Sequence, residues 1–200
     1  MYLNVHSQYS LRYGTLSIAK LVEQAKILGI EQMALTDINN STGAIEFVRE
    51  CHNKGIKAIT GIEFRRDSKM LYIGIARNRE GMKELNDFLS FYNLNSMKLP
   101  DRPWDFQNAY IIYPYSQNHP PLKENEFLGI PYRDLGKLFG RPLSKIKEKI
   151  VALQSISISN KLEYRLHKYL RGIDLNTLLS KIGENDQCHE DEILMPPEKL

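Results

Sequence analysis

The first 64 residues alternate short apolar segments with helical ones, and this alternation constrains the fold more than any other feature of the sequence. The apolar segments 2–6, 33–36 and 57–60 have the length and composition of buried strands. Between them, apolar residues recur at helical spacing over 18–28 and again over 44–51. This order predicts parallel strand pairing, because a parallel pair needs a crossover connection that a helix commonly supplies.

The remaining boundaries rest on glycines and on periodicity. Gly29 and Gly55 each follow the last apolar position of a helix, where a residue in the left-handed conformation commonly ends it. The predicted strands downstream are 70–76, paired as a hairpin with 62–64, and then 109–113 and 149–153. The predicted helices are 80–92, a short one at 132–139, and 161–173, which carries Leu162, Leu166, Tyr169 and Leu170 on one apolar face.

Composition indicates an ordinary globular domain. Of its 200 residues, 42% are hydrophobic and 26% are charged, with a mean hydropathy of −0.41. A chain of this length buries roughly 70% of its unfolded surface. No apolar run is long enough to cross a bilayer, and the sequence begins with a strand pattern instead of a secretion signal. We therefore expect a cytoplasmic protein with no membrane partner and with Cys51 and Cys188 reduced.

Charge alone does not identify a nucleic-acid partner. The formal net charge is +3 and the isoelectric point is near 8.7. Basic residues cluster between Lys137 and Lys149, with Arg141, Lys145 and Lys147 between them, and such a cluster can contact phosphates. The same pattern fits a solvated helix face, which is the primary interpretation. Salt-dependent DNA binding would distinguish the two.

Polar side chains follow three predicted strands at the points where the strands end. His6, Asp37 and Glu63 all occupy such positions. In α/β barrels, reacting groups lie at the C-terminal ends of strands, so we expect these side chains to face one another. Hydrolysis of a phosphate ester by a metal cluster needs several His and carboxylate ligands in one cavity. The sequence contains no Gly-x-Ser-x-Gly elbow and no glycine-rich phosphate loop that would indicate another chemistry.

The segments Leu3–Ser10, Met33–Asn40 and Gly61–Phe64 resemble the PHP (polymerase and histidinol phosphatase) family, in particular the N-terminal PHP domain of bacterial DNA polymerase III alpha subunits. A ligand-complete member of the family reads His-x-His-Ser, Thr-Asp-His and Gly-x-Glu in these segments. The resemblance implies a distorted (β/α)7 barrel. Periodicity alone gives only a partly parallel α/β fold.

The resemblance also implies that most metal-ligand positions have changed. His6 and Glu63 match ligand positions and are the residual candidates for a divalent metal. The other members of this vestigial site are Asn4, Tyr13, Asp37, Ile38, Ser155 and Ser157. Because loss of one residue that supports a ligand already weakens metal sites tenfold or more, we expect no cofactor. His6 and Glu63 then have a structural explanation as hydrogen-bond partners at the barrel rim.

The C-terminal segment extends the resemblance over nearly the whole chain. Residues 163–179 are similar to the segment that closes the PHP domain in alpha subunits with few metal ligands. Pro-Pro-Glu at 196–198 has the character of the first turn of a helix. We therefore expect a PHP domain over 1–190 and, over 191–200, the start of a connection to a polymerase body that is absent from this sequence.

Two functions of different classes follow from the resemblance. The first is a catalytically silent domain that supports the polymerase body in DNA replication and meets replicase subunits and DNA only through its parent protein. That parent would be a DNA-directed DNA polymerase, a nucleotidyltransferase, and the fragment by itself inactive. The second is a metal-dependent phosphoesterase or a 3′–5′ proofreading exonuclease.

For the silent domain, Trp104 and Arg102 are the predicted docking residues, because Trp and Arg are enriched among residues that dominate interface energies. An equal alternative for Trp104 is a place in the domain's own core.

Overall fold

Strands and helices alternate along the N-terminal third as the sequence predicts. The computed structural model describes residues 1–116, 119–138, 147–196 and 198. The first elements are β1 (Asn4–Val5), α1 (Ile18–Ile27), β2 (Gln32–Leu35), α2 (Ala44–Lys54) and β3 (Lys57–Arg66). Gly29 and Gly55 have φ angles of 69° and 68° just beyond α1 and α2, which confirms the predicted helix ends.

The rest of the chain adds five strands and two helices in the described residues. The strands are β4 (Lys69–Ala76), β5 (Ala109–Pro114), β6 (Glu126–Ile130), β7 (Ile150–Ala152) and β8 (Ser155–Ile156), and the helices are α3 (Arg79–Leu94) and α4 (Lys161–Asp174). Short 3₁₀ helices cover Tyr132–Leu138, Lys147–Lys149, Leu179–Lys181 and Glu184–Asp186. The predicted short helix at 132–139 is therefore a 3₁₀ helix, and its last position, Phe139, lies outside the described residues.

The strands form a curled six-stranded sheet and a two-stranded sheet. The larger sheet has the order β2-β3-β4-β5-β6-β7 and is parallel except where β4 pairs with β3 and β5. In the smaller sheet β1 pairs with β8 in parallel. Backbone hydrogen bonds connect β1 to β2, because Ala34 N–H donates to the Tyr2 carbonyl at 2.8 Å and Thr36 N–H to the Val5 carbonyl at 2.9 Å. The architecture is a mixed α/β fold. The predicted antiparallel hairpin of β3 and β4 interrupts its alternation of parallel strands and helices.

β6 is the longer of two described strands that sequence analysis missed, the other being β8. Its segment contains Gly129, which weakens a strand pattern because glycine has no side chain to pack. The structure shows why glycine is needed there. A Cβ at position 129 would lie 2.4 Å and 2.8 Å from side-chain atoms of Leu153, so the close approach of the chain after β7 excludes any larger residue.

Three apolar clusters form the core around this sheet. α1 and α2 pack on one of them with residues such as Leu21 and Phe47, and α3 packs on an aromatic cluster that contains Phe64 and Phe88. The third cluster contains Ile73 and other side chains that point to the concave side of the sheet. No helix in the described part of the chain is long and apolar enough to cross a membrane.

α4 packs on the domain by the face opposite to the one that its apolar periodicity predicts. Its buried residues are Glu163, His167, Arg171 and Gly172. Leu162, Leu166 and Tyr169, from the predicted apolar face, are exposed.

Candidate functional site

Asp37 organises the loop that follows β1. Its Oδ1 accepts hydrogen bonds from the Ser7 amide and the Ser10 hydroxyl, both at 2.6 Å, and its Oδ2 accepts from the Ser7 hydroxyl at 2.7 Å. Ser10 Oγ in turn accepts from the Ile38 N–H at 3.0 Å. Because these bonds occupy both oxygens of a buried carboxylate, Asp37 fixes the end of β1 against the end of β2.

Glu63 lies at the centre of the site. Its Oε2 accepts hydrogen bonds from Asn4 Nδ2 at 3.0 Å and from His6 Nε2 at 2.9 Å. Its Oε1 accepts from Arg65 Nε at 2.6 Å and lies 2.5 Å from Arg65 Nη2. The Glu63 side chain is 0% exposed and that of Arg65 is 9% exposed, so this is a buried ion pair.

The ion pair keeps Glu63 charged although it is buried. Burial raises the pKa of Glu63, but the charges of Arg65 and His6 and the hydrogen bonds from His6 and Asn4 lower it to about 2. Burial likewise lowers the pKa of the Arg65 guanidinium, and the neighbouring Glu63 more than restores it. The guanidinium occupies Oε1, and the Asn4 and His6 hydrogen bonds occupy Oε2, of a carboxylate that would otherwise be open to a metal.

His6 connects Glu63 to a second buried carboxylate. Its Nδ1 lies 2.9 Å from Ser157 Oγ, and the Ser157 hydroxyl donates to Glu192 Oε2 at 2.7 Å. The Ser157 oxygen is therefore left to accept from Nδ1, while Nε2 faces Glu63. Both ring nitrogens of His6 are therefore engaged in hydrogen bonds.

Asn4 joins four strands through its amide. Its Nδ2 donates to Glu63 and also to Ser155 Oγ at 2.9 Å, and its Oδ1 accepts from the Thr36 hydroxyl at 2.7 Å. The neutral amide thus holds the ends of β1, β2, β3 and β8 together. A histidine ligand at this position would instead direct a lone pair at a metal.

Tyr13 and Ile38 fill the space beside the ion pair. The Tyr13 ring lies edge-on to the His6 ring with centroids 5.5 Å apart, and the Arg65 guanidinium lies 4.5 Å from the Tyr13 centroid. Burial, with the nearby Glu192, raises the pKa of the Tyr13 phenol above its ordinary range, so it stays neutral. Ile38 packs in the same apolar cluster as Tyr13.

His167 supports Tyr13 from the side of α4. Its Nε2 accepts a hydrogen bond from the Cys188 N–H at 2.8 Å, so its Nδ1 carries the proton and donates to the Tyr13 carbonyl at 2.7 Å. The side chain is fully buried. Burial lowers its pKa to about 4, against a smaller opposite effect of the hydrogen bond to Tyr13. His167 is therefore a neutral residue that connects α4 to the N-terminal loop.

The donor set does not fit a cluster of divalent metals. No group of three His, Cys, Asp or Glu side chains in residues 1–116, 119–138, 147–196 and 198 has a geometry that could hold a metal ion. Both Glu63 oxygens already accept hydrogen bonds, and the Arg65 cation lies against one of them. A cleft of about 610 Å³ leads to His6 and Arg65 from the surface, so access does not limit binding at this site.

The predicted site residues converge, whatever their role. His6 makes the expected hydrogen bond to Glu63, and Asn4, Ser155 and Ser157 lie in the same network. Tyr13 and Ile38 adjoin the network, and Asp37 supports it from the loop. His6 and Asp37 follow the ends of β1 and β2 as predicted, whereas Glu63 lies inside β3, three residues before its end, so the prediction that it ends a strand is wrong.

Sequence analysis missed Arg65 and Glu192 as members of the site. A usable signal for Arg65 existed, because residues two apart in a strand point to the same face and Arg65 follows Glu63 by two. For Glu192 no local signal was available. Glu192 and the nearby Cys188 are both buried. Cys51 and Cys188 are free thiols, as expected.

The predicted docking residues lie away from this site. Trp104 packs edge-on against Phe88 of α3, with ring centroids 4.8 Å apart, and 44% of it remains exposed. Arg102 forms an ion pair with Glu126 and donates to the Pro121 carbonyl at 2.9 Å. Trp104 therefore combines both alternatives, since it rests on the domain's own aromatic cluster and also presents a free face.

The basic cluster is only partly described by the structure. Arg141 and Lys145 lie outside the described residues. Lys149 Nζ donates to the carbonyls of Lys123 at 3.1 Å and Glu124 at 2.5 Å, so this lysine has an intramolecular role.

Replacing Arg65 by Met should cost the domain about 3–5 kcal/mol of unfolding free energy, because it leaves the Glu63 charge buried without a cation. The double variant Arg65→Met/Glu63→Gln should recover part of that loss. Urea unfolding monitored by circular dichroism measures both. Arg66→Met is the matched control, since Arg66 pairs with the exposed Asp101 and should cost about 1 kcal/mol or less. Equal losses at 65 and 66 would contradict the central role of the buried pair.

The neutral His167 should make stability depend on pH. Its folded-state pKa of about 4 lies below the ordinary value of 6.5, so the unfolded chain binds more protons between these values. The contribution should be complete above about pH 6.5 and be lost as the pH falls toward 4, about 3 kcal/mol in total. His167→Gln keeps a donor and an acceptor without titrating. Its unfolding free energy should fall less over this range, and parallel pH profiles would contradict the assignment.

Comparison with known proteins agrees with the geometry. A model of the PHP domain family matches residues 3–170. The DNA polymerase III subunit alpha of Treponema pallidum is 51% identical over 63 residues, which are 32% of this chain and 5% of that protein. The same subunit of Halalkalibacterium halodurans is 30% identical over 125 residues, which are 58% of this chain and 11% of that protein.

A solved structure, an amidohydrolase from Chromobacterium violaceum with bound sulfate and no metal, aligns with a TM-score of 0.39 and 19% identity over 48% of this chain and 34% of its own. The chain matches only 5% and 11% of the length of the two polymerase relatives. The family model, by contrast, extends over most of the chain, from residue 3 to residue 170. The chain therefore belongs to the PHP domain family.

Proposed function

We propose that this chain is the catalytically silent PHP domain of a DNA polymerase III alpha subunit and that it serves DNA replication as a structural scaffold for the polymerase body. The two relatives described above carry that subunit's name. In this proposal the parent is a DNA-directed DNA polymerase of the bacterial cytoplasm. Its polymerase body is the direct partner of the domain, and other replicase subunits and DNA are reached through the parent.

The buried ion pair between Glu63 and Arg65 is the observation that carries the proposal. Metal-assisted hydrolysis needs ligands that are free to coordinate and an open position for water. Here a guanidinium neutralises the Glu63 carboxylate, and His6 is hydrogen-bonded at both ring nitrogens. The residues present therefore supply charge balance and rigidity instead of a hydrolytic centre.

The proposal includes a complete barrel of the (β/α)7 type. Its support is that β7 and β8 are consecutive segments of chain, of which β7 pairs with β6 and β8 pairs with β1. One apolar cluster also collects inward side chains from every strand between β2 and β7, together with Leu3. A barrel closed in this way resists deformation, because it has no free sheet edge.

The proposed domain covers 1–190, with 191–200 as the start of the connection to the polymerase body. Contacts of Glu192 and Met195 help to attach this connection to the domain. Glu192 accepts the hydrogen bond from Ser157, and Met195 exchanges two hydrogen bonds with the Tyr2 hydroxyl, at 2.8 Å and 2.9 Å. A connection held at both residues would transmit force between the barrel and whatever follows it.

A silent site should be visible in metal content and in hydrolysis. We expect the purified chain to carry no stoichiometric zinc, manganese or iron by elemental analysis, because Arg65 and the hydrogen bonds occupy the ligands. Hydrolysis of p-nitrophenyl phosphate and of DNA 3′ ends, with manganese added, should not exceed that of a His6→Ala control. Two or more tightly bound metals, or manganese-dependent hydrolysis that the control lacks, would instead establish the phosphoesterase or exonuclease alternative.

The scaffold role should be visible in the parent polypeptide. Deleting residues 1–200 should lower the thermal unfolding temperature of the remainder and slow primer extension, because the remainder loses the surface that supports it. Trp104→Ala in the intact polypeptide tests the predicted docking residue separately. Unchanged stability together with unchanged primer extension after the deletion would rule out a scaffold.

A further inference from the structure

We infer that the exposed apolar face of α4 is a docking surface for an α-helix of the polymerase body in the same polypeptide, a helix with an apolar seam and an acidic flank. This inference rests on the proposed function, which places the domain in a longer chain.

The apolar face of α4 is exposed over its whole length. The exposed fractions are 73% for Leu162, 47% for Leu166, 56% for Tyr169 and 67% for Ile173. Solvent-exposed apolar residues are common singly, but a continuous row along one helix marks an interaction surface. A surface helix normally turns such a row toward the core of its own domain.

Polar contacts on the opposite face prevent α4 from turning its apolar row inward. Arg171 Nε donates to the Asp186 carbonyl at 2.6 Å. Glu163 forms an ion pair with Lys20 of α1. With the His167 bonds described above, rotation of the helix would leave several buried polar groups without partners, each at a cost of about 1–3 kcal/mol.

Spacing along the row identifies the partner's shape. The row advances by four, three and four residues through Leu162, Leu166, Tyr169 and Ile173. This is the alternation of apolar positions that lets two helices pack side by side at a small crossing angle. A second helix is therefore the occupant that this face fits.

A groove continues the row beyond the end of α4. It has a volume of about 590 Å³ and is lined in part by Ile173, Leu178 and Leu179. Leu178 is 66% exposed and Leu179 is 40% exposed, so the groove is open. A bulky apolar side chain from a protein partner can fill such a concave site, whereas a bilayer surface presents no projecting group to do so.

The charge beside the apolar row favours the polymerase body over a second copy of the domain as the occupant of this face. Lys161, Arg165 and Lys168 advance by four and three residues and lie together on one flank of the apolar row. Two copies packed antiparallel by this face would bring like charges together, which opposes association. An acidic flank on the partner complements the row of positive charge. The polymerase relatives, of which this chain matches 5% and 11%, contain ample further chain to provide such a helix.

Cysteine accessibility tests the surface in the protein as it exists. Leu166→Cys would be labelled with a maleimide in the 200-residue chain and in the full-length polypeptide, with Ile45→Cys on α2, 84% exposed, as the matched control. Labelling of Leu166→Cys should be at least about tenfold slower in the full-length polypeptide, the factor that corresponds to 1.4 kcal/mol of docking. Ile45→Cys should label equally in both. Adding Arg165→Glu should restore part of the labelling rate.

Equal labelling of Leu166→Cys in both chains would overturn the inference. Slow labelling of Leu166→Cys in the 200-residue chain by itself, together with dimers in analytical ultracentrifugation, would overturn the inference in favour of a second copy of the domain. Labelling of that chain that slows only when vesicles with anionic phospholipid are added would overturn it in favour of a membrane.

If deletion of 1–200 impairs the parent but Leu166→Cys is labelled equally in both chains, the scaffold function stands and the α4 surface is wrong. If labelling is protected and deletion has no effect, docking stands and the scaffold function is wrong.

Discussion

The ion pair between Glu63 and Arg65 is the interaction on which the rest of the site depends. Glu63 is fully buried at a place where three strand ends meet, so its charge needs compensation from within the protein. Arg65 supplies it from the same strand, two residues further on. Asn4 and His6 can then use their hydrogen bonds to hold neighbouring strands in place, and Tyr13 can stack against the guanidinium instead of making room for solvent and metal.

A second consequence is that the two ends of the chain become one unit. Hydrogen bonds from His6 through Ser157 reach Glu192, and His167 bonds to the Tyr13 carbonyl, 154 residues away in sequence. The N-terminal loop, α4 and the C-terminal segment are therefore positioned by the same buried network. In the proposed silent domain, this coupling would give the site a structural role, because removing it would release the elements that carry the outer surface. It also determines which face of α4 is exposed to solvent.

Local physical chemistry accounts for most of the predicted elements. Gly29 and Gly55 end their helices by a backbone conformation that few other residues adopt, and such a preference can be read from the sequence directly. The hairpin of β3 and β4 and the amphipathic α3 were likewise predicted from short-range patterns. β6 was missed because Gly129 is there to admit Leu153, a residue that lies 24 positions later in the chain. A local propensity contains no information about a contact with a residue so far along the chain.

The sequence by itself determined that polar groups such as His6 and Asp37 would meet, since parallel strands direct their C-terminal ends to one edge, and that Asn4, Tyr13 and Ile38 beside them are poor metal ligands. Only the tertiary structure decided what balances their charge. Arg65 and Glu192 enter the site through contacts whose strength depends on burial, which no local pattern reveals. The same reason applies to α4, where periodicity correctly located an apolar row but could not show that distant polar partners would turn that row outward.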